Sequence, residues 1–214
     1  MQAKSVENVT CFTSGVERNR PPAARASGES AMTLTSLQPQ FDATAFRRAL
    51  GHVPTSVCVV TTADDDGPTG MTVGSFTSIS LDPPLVGFFA GSGSSTLSRI
   101  RGAGTFTVSL LNDGQGALCQ AFARKGQDPF AGVPLVAGDH AAPRLAEALG
   151  WIDCEVDSVV TIGDHDVVVG RVVRLDVPPL PRRPLVFFRG TLCQLDARTV
   201  PNQGNWQRDH YAEW

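Results

Sequence analysis

No apolar run in this chain approaches the roughly 20 residues that a membrane-spanning helix needs, which excludes a helical span. Lysine is scarce, with Lys4 and Lys125 alone. The other positive groups are scattered and the net charge is -3, so there is no large cationic field to hold a nucleic acid. Cys11, Cys58, Cys119, Cys154 and Cys193 are odd in number and include no C-x-x-C pair, which disfavours a zinc site and favours a reducing compartment. Three of them lie in apolar strand-like runs, where a free thiol behaves as a small hydrophobe. No G-x-G-x-x-G follows a strand, so a Rossmann dinucleotide site is not supported. Nor is there a Ser/His/Asp arrangement, a nucleophilic cysteine or an acid pair. The first residues lack the apolar region and small-residue cleavage site of a secretory leader. Together with the thiols, this predicts a cytoplasmic protein.

The 214 residues, 42% hydrophobic and 18% charged, suit one globular domain with a single substantial core. Residues 1–37 differ from the rest, being rich in Ser, Ala, Pro, Asn, Arg and Glu without apolar periodicity, and are expected to form a mobile extension. Met32 is an alternative start of the functional chain. The core domain is expected over 38–196, and 197–214 form a terminal tail whose Trp206, Tyr211 and Trp214 would need a partner surface if ordered. Asp42 can cap a short helix carrying Phe46, Ala49 and Leu50, ended by Gly51. Residues 56–62 read as a strand, and the acidic run Asp64, Asp65, Asp66 before Gly67 reads as a solvated hairpin tip.

Residues 70–96, GMTVGSFTSISLDPPLVGFFAGSGSST, organise the chain. A strand over 71–81 carries hydroxyls at Thr72, Ser75, Thr77, Ser78 and Ser80. It suits either a half-exposed sheet position or a ligand-facing one. Pro83 and Pro84 end it, because neither can donate to a ladder. Residues 85–90 form a short buried strand that leads into Gly91-Ser92-Gly93-Ser94-Ser95-Thr96. Leu97 and Ile100 then fall on one helical face, with Ser94 or Ser95 as N-cap. The helix start is either a plain cap or, with its free N–H groups, its hydroxyls and the nearby Arg99 and Arg101, a phosphate site.

Further on, 105–111 alternate as a strand. Residues 115–123 form a helix with Leu118, Ala121 and Phe122 inward. A loop over 124–130 presents Lys125, either as a solvated charge or as an aid to binding the phosphate or a nicotinamide dinucleotide. Two long β-branched strands, 149–162 and 167–177, flank the hairpin turn Gly163-Asp164-His165-Asp166. The adjacent side chains of that turn diverge, which argues against a metal site. Residues 185–188 are a short strand in which Phe187 or Phe188 is either core or ligand cover.

TGMTVGSFTSISLDPPLV, followed in order by SSTLSRI, GTFTVSLL, FARKGQDPFAGV, LGWIDCEVDSVVTIGDHDVVVGRVVRL and PLVFFRGTL, resembles the signature of the flavin reductase-like family over about residues 41–195. The resemblance implies a mainly β fold, an antiparallel split β-barrel of Greek-key type with a few peripheral helices and a homodimeric assembly. It implies FMN or FAD as cofactor and NADH or NADPH as hydride donor, with reduced flavin passed to a separate monooxygenase. The alternative on the same barrel is a flavin-binding electron carrier that does not turn over NAD(P)H. Backbone and hydroxyl groups of Met71, Thr72, Val73, Gly74, Ser75, Phe76 and Ser78, together with Ala90, would hold the ring and ribityl chain. Ser94, Ser95 and Thr96 would hold the phosphate, assisted by Lys125, with Phe188 over one edge of the ring. The histidine of the family's GDH turn lies on the nicotinamide side of the flavin, which carries onto His165. The family usually has Asn where Ser109 stands, so no ligand role is assigned there.

Overall fold

A computed structural model describes residues 40–124, 126, 128–136, 142–178 and 182–196. The two expected tails and Lys125 lie outside the described residues. The elements are α1 (Ala43–Leu50), β1 (Thr55–Ser56), β2 (Cys58–Asp64), β3 (Gly67–Val73), β4 (Thr77–Leu81), β5 (Pro84–Gly91), α2 (Ser95–Ala103), β6 (Thr105–Leu110), α3 (Gly116–Ala123), β7 (Leu135–Val136), β8 (Arg144–Leu145), β9 (Gly150–Ile162), β10 (His165–Asp176), β11 (Leu185–Phe188) and β12 (Thr191–Gln194).

Seven strands form one antiparallel sheet in the order β3-β2-β6-β9-β10-β5-β4. Its two edge strands, β3 and β4, are consecutive in the chain and joined only by Gly74, Ser75 and Phe76. Laid flat, seven strands about 4.8 Å apart would separate the edges by roughly 29 Å, whereas four Cα steps reach at most about 14 Å. The sheet therefore curls until its edges approach, giving a barrel split between β3 and β4. The single strand expected over 71–81 is thus two strands on opposite edges. At the split, Ser75 Oγ accepts from Phe89 N at 2.9 Å, satisfying an amide of β5 that β4 does not reach.

The curl encloses Val60, Phe88, Leu97, Ile100, Phe106, Val108 and Val168, with α2 plugging one end. Phe88 and Phe106 meet edge to face at 5.5 Å. Outside the barrel wall, Val57, Val59, Leu111, Cys119, Phe122, Leu145 and Leu185 form a second cluster under α3, β8 and β11. β2 is therefore buried on both faces, which is why its run is apolar rather than alternating. The strand expected over 56–62 also breaks, since β1 leaves it to pair with β11 in the three-stranded sheet β1-β11-β12. Ser109 is fully buried and its Oγ accepts from Leu145 N at 3.2 Å, so its hydroxyl ties β8 to the barrel wall.

The deepest charge is also structural. Arg144 on β8, 2% exposed, meets the fully buried Asp153 of β9, with Nε to Oδ1 at 3.2 Å. Thr107 donates to the same carboxylate at 2.8 Å, and Arg144 also reaches Asp176 at 3.3 Å. Burial pushes the thiols of Cys58 and Cys154 up to about 12, so both stay neutral and act as core residues.

α1 follows the expected Asp42 cap, with Ala45 N donating to Asp42 Oδ1 at 2.7 Å. It buries no residue, however. Phe46 and Leu50 stay exposed, and Phe46 stacks on Phe41 at 5.9 Å.

Gly170 of β10 lies at a register shift in the β9–β10 ladder, where a Cβ would stand 2.7 Å from Phe106 Cε1 and 3.0 Å from Cys154 Cβ. Gly170→Ala is expected to lower the unfolding free energy by about 1–3 kcal/mol, because the added Cβ overlaps the fully buried Phe106 ring and forces the core to shift. Urea unfolding of the two proteins checks this.

Candidate functional site

A cavity of about 650 Å³ opens where edge strand β3 meets the start of α2 and the end of α3. Its volume lies in the range of small-molecule sites. Three local features build it. Gly70 has no side chain, so the Phe122 ring of α3 packs onto the strand where a Cβ would stand 2.8 Å from Phe122 Cε1. Thr72 Oγ1 donates to Cys119 O at 2.8 Å, tying β3 to α3. Thr69 and Thr96 share a hydroxyl–hydroxyl bond of 3.3 Å, and Thr96 also reaches Gly70 O at 3.4 Å, tying β3 to α2.

The first turn of α2 faces the cavity. Ser94 is the N-cap in extended geometry, its Oγ accepting from Leu97 N at 3.3 Å, while Ser98 N donates to Ser94 O. The amides of Ser95 and Thr96 have no acceptor among the described residues, and the Ser95 side chain is exposed. Two free donors at the positive end of a helix, beside hydroxyls, favour an anion.

The guanidinium groups expected to assist are committed elsewhere. Arg99 Nε donates to Asp64 at 2.6 Å, and Arg99 also bonds Gly67 O. Asp64, at the end of β2, is therefore not merely a solvated hairpin tip, and Arg99 holds its carboxyl below the ordinary range. Arg101 bonds Asp166 at 2.7 Å, and Asp166 also accepts from Thr161 at 2.6 Å. Both arginines brace α2 against the barrel. The cation at the cavity is Arg124, just after α3, which has no carboxylate partner among the described residues. The sequence reading passed over it for its neighbour Lys125. The signal was present, since the two basic residues are adjacent at a helix end.

Of the expected ligand residues, Met71, Thr72, Ser94, Ser95 and Thr96 line this cavity, joined by Thr69, Gly70, Phe122 and Arg124. Val73 and Ala90 are buried in the barrel core, so their backbones alone are available to a ligand. Gly74, Ser75 and Phe76 form the split beside the cavity, and Ser78 lies beyond it on β4. Phe188 is on β11 in the separate small sheet.

His165 does not line the cavity but stands one strand away. It is the first residue of β10 rather than part of the turn, which is Gly163-Asp164, and it pairs with Gly91 at the cavity rim. The side chain is half exposed, and its Nδ1 donates to Asp164 Oδ1 at 2.7 Å. That bond holds the Asp164 carboxyl below its ordinary range, with the charge of Arg47 adding to the effect. Strand alternation sends Asp166 inward and leaves His165, Val167 and Phe89 on the outer face.

Among the described residues no helix is long and apolar enough to cross a membrane, and no three His, Cys, Asp or Glu side chains converge as for a metal. A flavin mononucleotide or dinucleotide fits the donor set observed. The free amides, Ser95 and Arg124 suit a phosphate, and the polar edge strand suits a ribityl chain and the hydrogen-bonding rim of a ring.

Known proteins place this architecture. A flavin reductase from Pseudomonas putida is 42% identical over 157 residues, covering 73% of this chain and 89% of that protein. The reductase subunit of a flavin-dependent monooxygenase from Mycobacterium tuberculosis is 37% identical over 172 residues, covering 79% and 91%. Among solved structures, the NADH:FAD oxidoreductase of Streptomyces globisporus with NAD and FAD fragments superposes with a TM-score of 0.70. It is 34% identical and covers 74% of this chain and 96% of that one. The flavin reductase like domain matches residues 50–196, from the end of α1 to just beyond β12, and the chain belongs to the flavin reductase-like family.

Proposed function

We infer that this protein is an NAD(P)H:flavin oxidoreductase that passes a hydride from NADH or NADPH to FMN or FAD and supplies the reduced flavin to a separate monooxygenase component. The observation that carries the reading is the cavity between β3, α2 and α3, with its pair of free helix-start amides beside Arg124. Relatives of this activity align over most of the chain.

The flavin supplies the hydride acceptor when bound, and the protein contributes binding, orientation and electrostatics. Ser95 N and Thr96 N donate to the phosphate, with Ser95 Oγ and Arg124 beside them. The backbone from Met71 to Phe76 runs along the open edge of the barrel and presents its polar groups to the ring and ribityl chain. Phe122 packs against Gly70 and gives the cavity an apolar wall on one side. His165 stands on the outer face beside the cavity rim and positions the nicotinamide. The Nδ1 donation to Asp164 fixes the ring tautomer so that Nε2 is left for the ligand.

The protein is proposed to act as a homodimer in a reducing cytoplasm. Phe89, Val167 and Val160 form a cross-strand row on the outer face of β5, β10 and β9, with Ile162 exposed beyond it, an apolar surface suited to a second copy. A monomeric mass in solution at micromolar concentration, with flavin bound, would sink the dimer. The free thiols at Cys58, Cys119, Cys154 and Cys193 accord with a reducing compartment.

Two measurements test the enzymatic reading. Mixing the protein with FMN or FAD and a nicotinamide dinucleotide should bleach the nicotinamide absorbance, and no decay with either NADH or NADPH overturns it. In the same assay His165→Ala should raise KM for the dinucleotide and lower kcat modestly at unchanged flavin affinity, the pattern of lost positioning. For the phosphate, Ser95→Ala combined with Arg124→Ala should weaken FMN binding by about 1–3 kcal/mol, since bonds to a charged acceptor are the stronger kind. Riboflavin, which lacks the phosphate, should bind as before. Equal losses for both would assign the pair to folding.

A further inference from the structure

Most described arginines are engaged. Arg99, Arg101, Arg144, Arg171, Arg182 and Arg183 each bond a carboxylate, and Arg174 is engaged as well. Arg47, Arg48, Arg124 and Arg189 have no carboxylate partner among the described residues, and all four line cavities. Arg124 belongs to the site beside α2. The other three, with Gly51, His52 and Gly190, line a second cavity of about 560 Å³ between the end of α1 and the β11–β12 turn.

Arg47 and Arg48 alone have an ordinary explanation, as cations in the last turn of a helix that complement its dipole. Arg189 does not share it, because it comes from a different element. It occupies the left-handed region at φ 50°, followed by Gly190 at φ 80°, a two-residue hairpin turn whose first position favours Asn, Asp or Gly. Its backbone N–H donates to Gly51 O at 2.9 Å, which locks the turn against the end of α1. Three arginines thus border one concavity, and among the described residues no carboxylate lies within ion-pair distance of them, an arrangement that favours an anionic ligand there. His52 joins the rim, its Nδ1 donating to Arg48 O at 2.9 Å. The charge of Arg47 reaches Asp164, the neighbour and hydrogen-bond partner of His165, so the cavity lies within electrostatic range of the β9–β10 turn.

We propose that Arg47, Arg48 and Arg189 form a second anion site that binds the phosphates of the nicotinamide dinucleotide, separate from the flavin-phosphate site at α2. The chain has no glycine-rich dinucleotide loop, and the flavin phosphate has its own donors at Ser95, Thr96 and Arg124. The pyrophosphate of the hydride donor therefore needs cations elsewhere; these three border a cavity of their own, and the charge of Arg47 is felt at Asp164 beside His165. A concave site lined by three arginines suits a compact polyphosphate better than a broad acidic protein face. The proposal rests on the reductase reading.

The test uses the full chain carrying Arg47→Gln, Arg48→Gln and Arg189→Asn, in which Gln retains helix propensity and Asn tolerates the left-handed turn. The triple variant should raise KM for NADH by about 10- to 100-fold, as expected for lost charge-assisted bonds. The dissociation constant for NAD⁺ by titration calorimetry should rise in parallel. FMN affinity by fluorescence quenching should stay within about twofold, as should turnover of N-benzyl-1,4-dihydronicotinamide, a hydride donor without phosphate. An unchanged NADH KM and NAD⁺ affinity overturns the proposal. So does an equal loss with the phosphate-free donor, or a matching loss of FMN affinity. If the unaltered protein oxidises neither NADH nor NADPH, the reductase reading fails separately. NAD⁺ binding then decides alone, its loss in the variant supporting the anion site and its persistence or absence in both proteins overturning it.

Discussion

The joint at Gly74, Ser75 and Phe76 constrains everything around it. Because three residues must connect the two edges of a seven-stranded sheet, the sheet cannot lie flat, and its curl creates the interior that Phe88, Phe106 and Val168 fill. The same joint keeps the barrel from closing. β3 pairs only with β2, so the backbone groups along its other side are left unmatched within the sheet. In many proteins such an edge is blunted or covered. Here it runs beside the first turn of α2, whose free amides add to the same polar surface. An incomplete barrel and an open polar edge beside the start of α2 are one structural fact.

Charge is divided between two tasks that the geometry separates cleanly. Arg144 and Asp153 are sealed in the protein with Thr107, so they hold β8 to the barrel wall, and losing either partner would strand a buried charge. Arg99 and Arg101 lie nearer the surface and strap α2 to β2 and β10 through Asp64 and Asp166. That strapping fixes where the helix start points. Among the described residues, the arginines without an ion-paired acid are those that border cavities, where a ligand can provide negative charge.

The strands, the cap at Ser94 and the cap at Asp42 were legible in the sequence because each depends on local chemistry, namely β-branched runs, prolines after Asp82 and short polar side chains before a helical pattern. The break at Gly74 was not, because residues 71–81 have continuous strand composition and only the closure of the sheet requires a corner there. The fates of Arg99 and Arg101 were hidden for a similar reason. Spacing placed them on α2 near the expected phosphate, but Asp64 and Asp166 come from strands distant in sequence. Arg124 was visible as a basic residue at a helix end, yet nothing local ranked it above Lys125. For α1 the cap and the helix itself were legible, whereas the exposure of Phe46 and Leu50 depends on what the rest of the chain brings to that face.

The pattern of shifted titratable groups matches a site that acts by placement. The largest shifts belong to the Cys58 and Cys154 thiols, raised by burial in the barrel core and far from any role as nucleophiles. The carboxyls held low, Asp64 and Asp164, are each explained by one hydrogen-bonded partner, Arg99 and His165. None of these shifted groups lines the cavity beside α2, and what converges there is donors and hydroxyls rather than a tuned acid and base. Such a site can fix the position and charge of a bound group while leaving proton chemistry to the group itself. That division of labour accords with a cofactor that carries its own reactivity, and it explains why the sequence lacks a catalytic constellation without lacking a site.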